Sequence, residues 1–230
     1  MQALKLKRKL TIMNIRKILS ALGVAGALGV AGMPAFAGPL SASDATFASF
    51  DSSGGTRGLS ISGFGAITDV NISIVFAKCD DPSLGAGGGT IGSPCIGTGF
   101  SFDREIVFSL THGSTTVNLV NQDTFSGATP GAGVVLMTFD DSGGVLPGSV
   151  AGGTFRGVGN LSDFNGAEAN GLWTLSITDT VGADRLDYFS SCISINGDSG
   201  CGTNNVPEPI SLALFGIGLA GIRLARRKST

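Results

Sequence analysis

Apolar and polar residues alternate with a period of two through the middle of the chain. Val70, Ile72, Ile74 and Phe76 share one face of a strand starting near Ile67, with Asn71 and Ser73 on the other. That period marks a half-buried β-strand, because successive side chains point to opposite faces. Ile106, Phe108 and Leu110 form a second apolar face, and a His112-Gly113-Ser114 turn leads to a return strand with Val117 and Leu119, which predicts a hairpin. The run from Val134 to Phe139, apolar except for Thr138, predicts a strand buried on both faces. Trp173, Leu175 and Ile177 alternate with Thr174, Ser176 and Thr178, and Ile193 and Ile195 close the series. Helical periodicity is missing from this stretch, and 37 glycines in 230 residues are about twice the usual share of roughly 7 % and weaken helices. The pattern predicts an all-β fold, a β-sandwich or jelly roll over residues 58–198. Residues 38–57 read as a flexible N-terminal flank and 199–205 as a linker.

Charge divides the chain differently. Residues 1–37 carry six Lys/Arg and no acid, residues 38–209 carry five Lys/Arg against all 17 Asp/Glu, and residues 210–230 carry four Lys/Arg and no acid. An acidic middle with five scattered cations cannot build the basic stripe that phosphate neutralisation needs, which excludes nucleic acid as a partner. At the N-terminus, basic residues precede an apolar stretch from Ile18 to Ala31 and the small-x-small site Ala35-Phe36-Ala37. This is the layout of a secretory signal peptide over 1–37, with signal peptidase expected to cut after Ala37. At the other end, Val206-Pro207-Glu208-Pro209 leads into an apolar stretch from Ile210 to Ile222 and a tail containing Arg223, Arg226, Arg227 and Lys228. The stretch predicts a short transmembrane helix, since thirteen helical residues span about 20 Å against a hydrocarbon core of about 30 Å. Its basic tail is expected to stay cytoplasmic. Both ends therefore place the acidic middle outside the inner membrane.

The C-terminal residues resemble a known pattern. Val-Pro-Glu-Pro, a short apolar helix and an Arg-Arg-Lys cluster over 206–230 look like the PEP-CTERM sorting signal. The resemblance implies a membrane exosortase that recognises Pro207-Glu208-Pro209, cleaves near it and passes the chain to the surface of a bacterium that makes extracellular polysaccharide. It implies transient anchoring in the inner membrane by the C-terminal helix. The proline pair supplies a stiff, non-helical segment that keeps the site out of that helix.

Cys79, Cys95, Cys192 and Cys201 all lie in the extracytoplasmic region, and an even count there reads as two disulfides. Three pairings are possible; the local one, Cys79 with Cys95 and Cys192 with Cys201, is favoured because each bridge closes a Gly-rich stretch. A zinc site is disfavoured, since there is no C-x-x-C and His112 is the sole histidine.

A second resemblance covers about residues 58–196. Phe139-Asp140-Asp141-Ser142, Gly153-Thr154-Phe155-Arg156, Leu161-Ser162-Asp163-Phe164-Asn165-Gly166 and Asn170-Gly171-Leu172-Trp173-Thr174-Leu175-Ser176-Ile177-Thr178-Asp179 resemble the P, or Homo B, domain found beside subtilisin-like proprotein convertases. Read from the residues, Trp173 fills the sandwich, Asn170-Gly171 turns into its strand, and Asp179 begins the turn leaving it. Arg156 is expected to pair with a carboxylate inside the domain. The pattern departs from the family at Phe102-Asp103-Arg104-Glu105-Ile106 and at Gly182-Ala183-Asp184-Arg185-Leu186-Asp187-Tyr188-Phe189.

Catalytic chemistry is not expected. The β domain leaves no room for a protease fold, no G-x-S-x-G occurs, and His112 reads as a solvent-facing turn residue. Asp103 and Glu105 read as ordinary surface charges on the face opposite Ile106. Calcium is the one cofactor with candidate ligands, at Asp80-Asp81 and Asp140-Asp141 beside Gly-rich loops; solvated turn aspartates are the competing reading. The expected function is a non-enzymatic surface or matrix protein in the exopolysaccharide layer. The alternative is an accessory P domain for a separate subtilisin-like protease.

Overall fold

The structure, a computed structural model, describes residues 38–80, 84 and 88–197. Ten strands are found among them: β1 (Leu40–Asp44), β2 (Ala48–Phe50), β3 (Ser53–Ile61), β4 (Val70–Lys78), β5 (Ile106–His112), β6 (Thr115–Val120), β7 (Val134–Gly144), β8 (Gly153–Phe155), β9 (Gly171–Asp179) and β10 (Leu186–Ile195). Two short 3₁₀ helices, Asp103–Glu105 and Leu161–Phe164, accompany them.

The strands form two sheets. One runs β1-β10-β4-β7-β8, with β2 also paired to β10, and the other runs β3-β9-β5-β6. Every pair is antiparallel except β7 with β8. Ile72, Ile74 and Phe76 from the first sheet and Phe108, Leu110, Trp173, Leu175 and Ile177 from the second are all fully buried in one core. Within it Phe76 and Phe108 meet edge-on, their centroids 5.1 Å apart. The alternation read along β4, β5 and β9 is thus the inner lining of a sandwich. The predicted hairpin is β5–β6, with Gly113 at φ 57° in the turn, a conformation favouring glycine.

Two expectations are corrected. Residues 38–57 are not a flexible flank, for β1 pairs with β10 from Leu40↔Ile195 to Asp44↔Ser191, and β3 pairs with β9 from Ser53↔Asp179. The glycines that suggested flexibility allow close packing instead: a Cβ on Gly55 would lie 2.8 Å from the Phe50 ring. The run Val134–Phe139 is buried on both faces only at its start. In β7, Val135, Met137 and Phe139 face the core; on the other face Val134 is buried with Ala77, Cys79 and Cys95, while Leu136 and Thr138 are half-buried, because that second cluster covers only the beginning of the strand.

Candidate functional site

β4 begins and ends in polar chemistry. Near its start, Asn71 pairs with Ser194 of β10 and precedes Ile72, the partner of Phe139 in β7. A cleft of about 800 Å³ opens here, lined among others by Asp69, Asn71, Asp140, Asp141, Ser142 and Ser162. Asn71 is only 4 % exposed. Its Nδ2 donates to Asp69 Oδ2 (2.9 Å), and its Oδ1 is buried with no hydrogen-bond partner among the described residues. Because a carboxylate only accepts, the Asp69 contact fixes which end of the amide is which. Asp141 is committed to the fold: its two oxygens accept from the N–H groups of Leu161 (2.8 Å) and Ser162 (2.8 Å), starting the second 3₁₀ helix. Asp140 accepts from Ser142 N–H (2.7 Å). Among the described residues no Lys or Arg lines this cleft, so its surface offers oxygen acceptors and hydroxyls.

At the far end of β4, Lys78 is fully buried between the sheets. Its Nζ donates to Glu105 Oε2 (2.9 Å), to Asp179 Oδ2 (2.8 Å) and to the Asp184 main-chain carbonyl. Asp179 is the last residue of β9 and pairs with Ile106, so Glu105 is held beside it by the start of β5. Burial holds the Asp179 carboxyl above the ordinary range, opposed by its hydrogen bond to Lys78. Asp103 is also buried, and desolvation raises its carboxyl too, although it accepts from Ser101 Oγ (2.7 Å) and Val150 N–H (3.3 Å).

This cluster overturns one reading. Asp103 and Glu105 are not surface charges, because they lie in a 3₁₀ turn rather than in a strand, and the turn rotates both carboxylates inward. Asp179 begins the turn leaving β9 as expected, its Oδ1 accepting from Val181 N–H (3.4 Å), and it does so from inside the core. Lys78 escaped the sequence reading, yet its signal is there. It continues the core-facing series Val70, Ile72, Ile74, Phe76, as Asp179 continues Trp173, Leu175, Ile177.

His112 is not a solvent-facing turn residue. It is half-buried and stacks on Trp173, with centroids 4.1 Å apart and planes 7° from parallel. Its Nε2 donates to the Glu168 carbonyl (2.7 Å), and Nδ1 lies 3.2 Å from the Leu172 carbonyl. The two ring nitrogens thus face main-chain oxygens. Trp173 fills the sandwich as expected, its indole N–H donating to the Ala169 carbonyl (3.1 Å). Arg156 is exposed and forms no ion pair among the described residues, since β8 places it on the rim.

Cys79 and Cys95 are joined by a disulfide, one of the two bridges favoured from spacing. Cys201 lies outside the described residues, and with it the expected bridge to Cys192. Of the calcium candidates, Asp81 lies outside the described residues and Asp80 Oδ2 accepts from Gly99 N–H (2.6 Å). Among the described residues no three His, Cys, Asp or Glu side chains converge on a point that would hold a metal. Ala35, Ala37, Val206, Pro207, Glu208, Pro209, Arg226 and Arg227 also fall outside them, as does the predicted C-terminal helix. Among the described residues no helix is long and apolar enough to cross a membrane.

Comparison with known proteins decides the sorting end of the chain. Residues 205–228 match the PEP-CTERM protein-sorting motif. The chain therefore carries the signal of an exported cell-surface protein directed to exosortase. No curated protein matches the chain. A solved structure titled "Crystal Structure of FLHE" is similar over 70 % of this chain and 96 % of its own, at 10 % identity and a TM-score of 0.33. The P/Homo B likeness is supported by no family match or relative.

Proposed function

We propose that this protein is exported, cut by signal peptidase after Ala37, and processed by exosortase at Pro207-Glu208-Pro209 to become a non-catalytic component of the cell surface or extracellular matrix. The PEP-CTERM match over residues 205–228 carries this reading. In this account the C-terminal helix holds the chain in the inner membrane only until processing. The β-sandwich then binds or structures the exopolysaccharide layer. The cleft beside Asn71 supports a hydroxyl-rich ligand: its carboxylates and hydroxyls offer acceptors, and sugar hydroxyls are donors. With an acidic lining and no cation among the described residues, the cleft suits a neutral polymer better than a uronic one.

A second reading, an accessory P domain serving a separate subtilisin-like protease, draws on the residue motifs from Phe139 to Asp179. Fold-level likeness does not carry activity. Fractionation of cells with and without exosortase, followed by intact-mass measurement of the surface form, tests the first reading. The expected result is a shorter surface species only where exosortase is present; identical masses in both strains overturn it. Binding of the purified domain to the strain's own polysaccharide separates the two readings, since the protease-accessory account expects none.

A further inference from the structure

We propose that Lys78 and Asp179 join through an intramolecular isopeptide bond that staples the two sheets together, with Glu105 as the proton acceptor. The geometry is that of a reaction about to occur. The Lys78 amine touches the Asp179 carboxyl at 2.8 Å and the Glu105 carboxylate at 2.9 Å, and the side chains of Lys78 and Asp179 are wholly shielded from water. Groups held this way react as if at very high local concentration. In water an ammonium and a carboxylate are too well solvated to condense. A dry interior removes that solvation and favours the uncharged amine and acid that do.

The surroundings supply the right proton count. Three buried carboxyls, Asp103, Glu105 and Asp179, face one ammonium, so full ionisation would leave net negative charge inside the core. Burial raises the Asp179 carboxyl, which favours the protonated form that can lose hydroxide as water. Lys78 gives one proton to Glu105, and the neutral Nζ attacks the Asp179 carboxyl carbon. An N–C bond forms and a C–O bond breaks. The departing hydroxyl leaves as water with a second proton from the nitrogen. Ammonium, carboxylic acid and Glu105 carboxylate become amide, water and Glu105 carboxylic acid, with no oxidant, metal or other reactant needed.

Position gives the bond its purpose. Lys78 ends β4 in one sheet and Asp179 ends β9 in the other, 101 residues apart in sequence. A covalent tie there would lock the two layers at one end, beside the Cys79–Cys95 disulfide. Unlike a disulfide, it would resist reduction outside the cell. The inference concerns the folded domain and stands whether or not the sorting reading does.

Intact-mass spectrometry of the exported protein after reduction and alkylation tests it. The expected mass is one water molecule below that of the processed sequence, with a branched tryptic peptide in which Lys78 is linked to Asp179 and is not cleaved by trypsin. Glu105→Gln and Asp179→Ala are expected to lose both signatures. Asp179→Asn is expected to form the same link by losing ammonia. A folded wild-type protein at full mass overturns the proposal whatever the variants do, as does a water loss that maps to any other residue pair.

Discussion

The two ends of β4 handle buried polarity in opposite ways. At the Lys78 end, the ammonium donates to Glu105, to Asp179 and to the Asp184 carbonyl, and the site is dry. At the Asn71 end, a buried amide oxygen has no donor among the described residues and the neighbouring carboxylates line an open cleft. A strand that is satisfied at one end and acceptor-rich at the other has one end suited to holding the fold and one suited to holding something else. Buried polar groups are nearly always paired, so the unpaired oxygen of Asn71 is a weak point of the fold at the floor of the cleft.

The largest expected effect is at the satisfied end. Lys78→Met strands Glu105 and Asp179 as buried carboxylates without their cation, and loss of one partner from such a cluster costs about 3–5 kcal/mol. Chemical denaturation of the variant against the wild type should show at least that loss, and a larger one where the wild type carries the Lys78–Asp179 link. A loss near zero would mean the cluster is not the dry, paired site described.

At the open end the expected effect is smaller. Asp141→Ala removes two acceptors from the start of the Leu161–Phe164 turn, and capping losses of this type cost about 1 kcal/mol. Stability measured by urea unfolding should fall by that amount, and binding at the cleft should weaken because Ser162 lines it. A much larger loss would show that the cleft is as structural as the Lys78 end.

The smallest effect is a pH dependence belonging to Asp103. Burial raises its carboxyl above the usual 3.8, so the folded chain holds that proton to higher pH than the unfolded chain does. The stabilising contribution is complete below the unfolded value and is lost as pH rises through the folded one. Melting temperature should therefore gain from acidification through this window in the wild type, and gain less in Asp103→Asn. Equal slopes for the two proteins would remove the burial effect as a cause.

Much of the sandwich was legible along the chain because a period of two survives in β4, β5 and β9, each with one face on the core. The reading failed where the signal was local composition instead of period. Ser and Gly in residues 40–57 looked loose, but β1 and β3 are held by long-range pairing with β10 and β9, which composition does not encode. Strand alternation puts Asp103 and Glu105 on an exposed face, whereas a 3₁₀ turn carries both inward. His112 was placed by its neighbour Gly113, whereas the flat face of Trp173, 61 residues on, decides its surroundings.

By itself the sequence determined the acidic exported middle, the sorting motif and the alternating strands, because charge blocks, a short linear signal and the pleat are properties of neighbouring residues. Only the tertiary structure decided that Lys78 meets Asp179 and Glu105, and that Asn71 keeps an acceptor facing no donor. Those contacts arise when two sheets close on one another, and the distance between side chains on separate layers is written nowhere in the order of the residues.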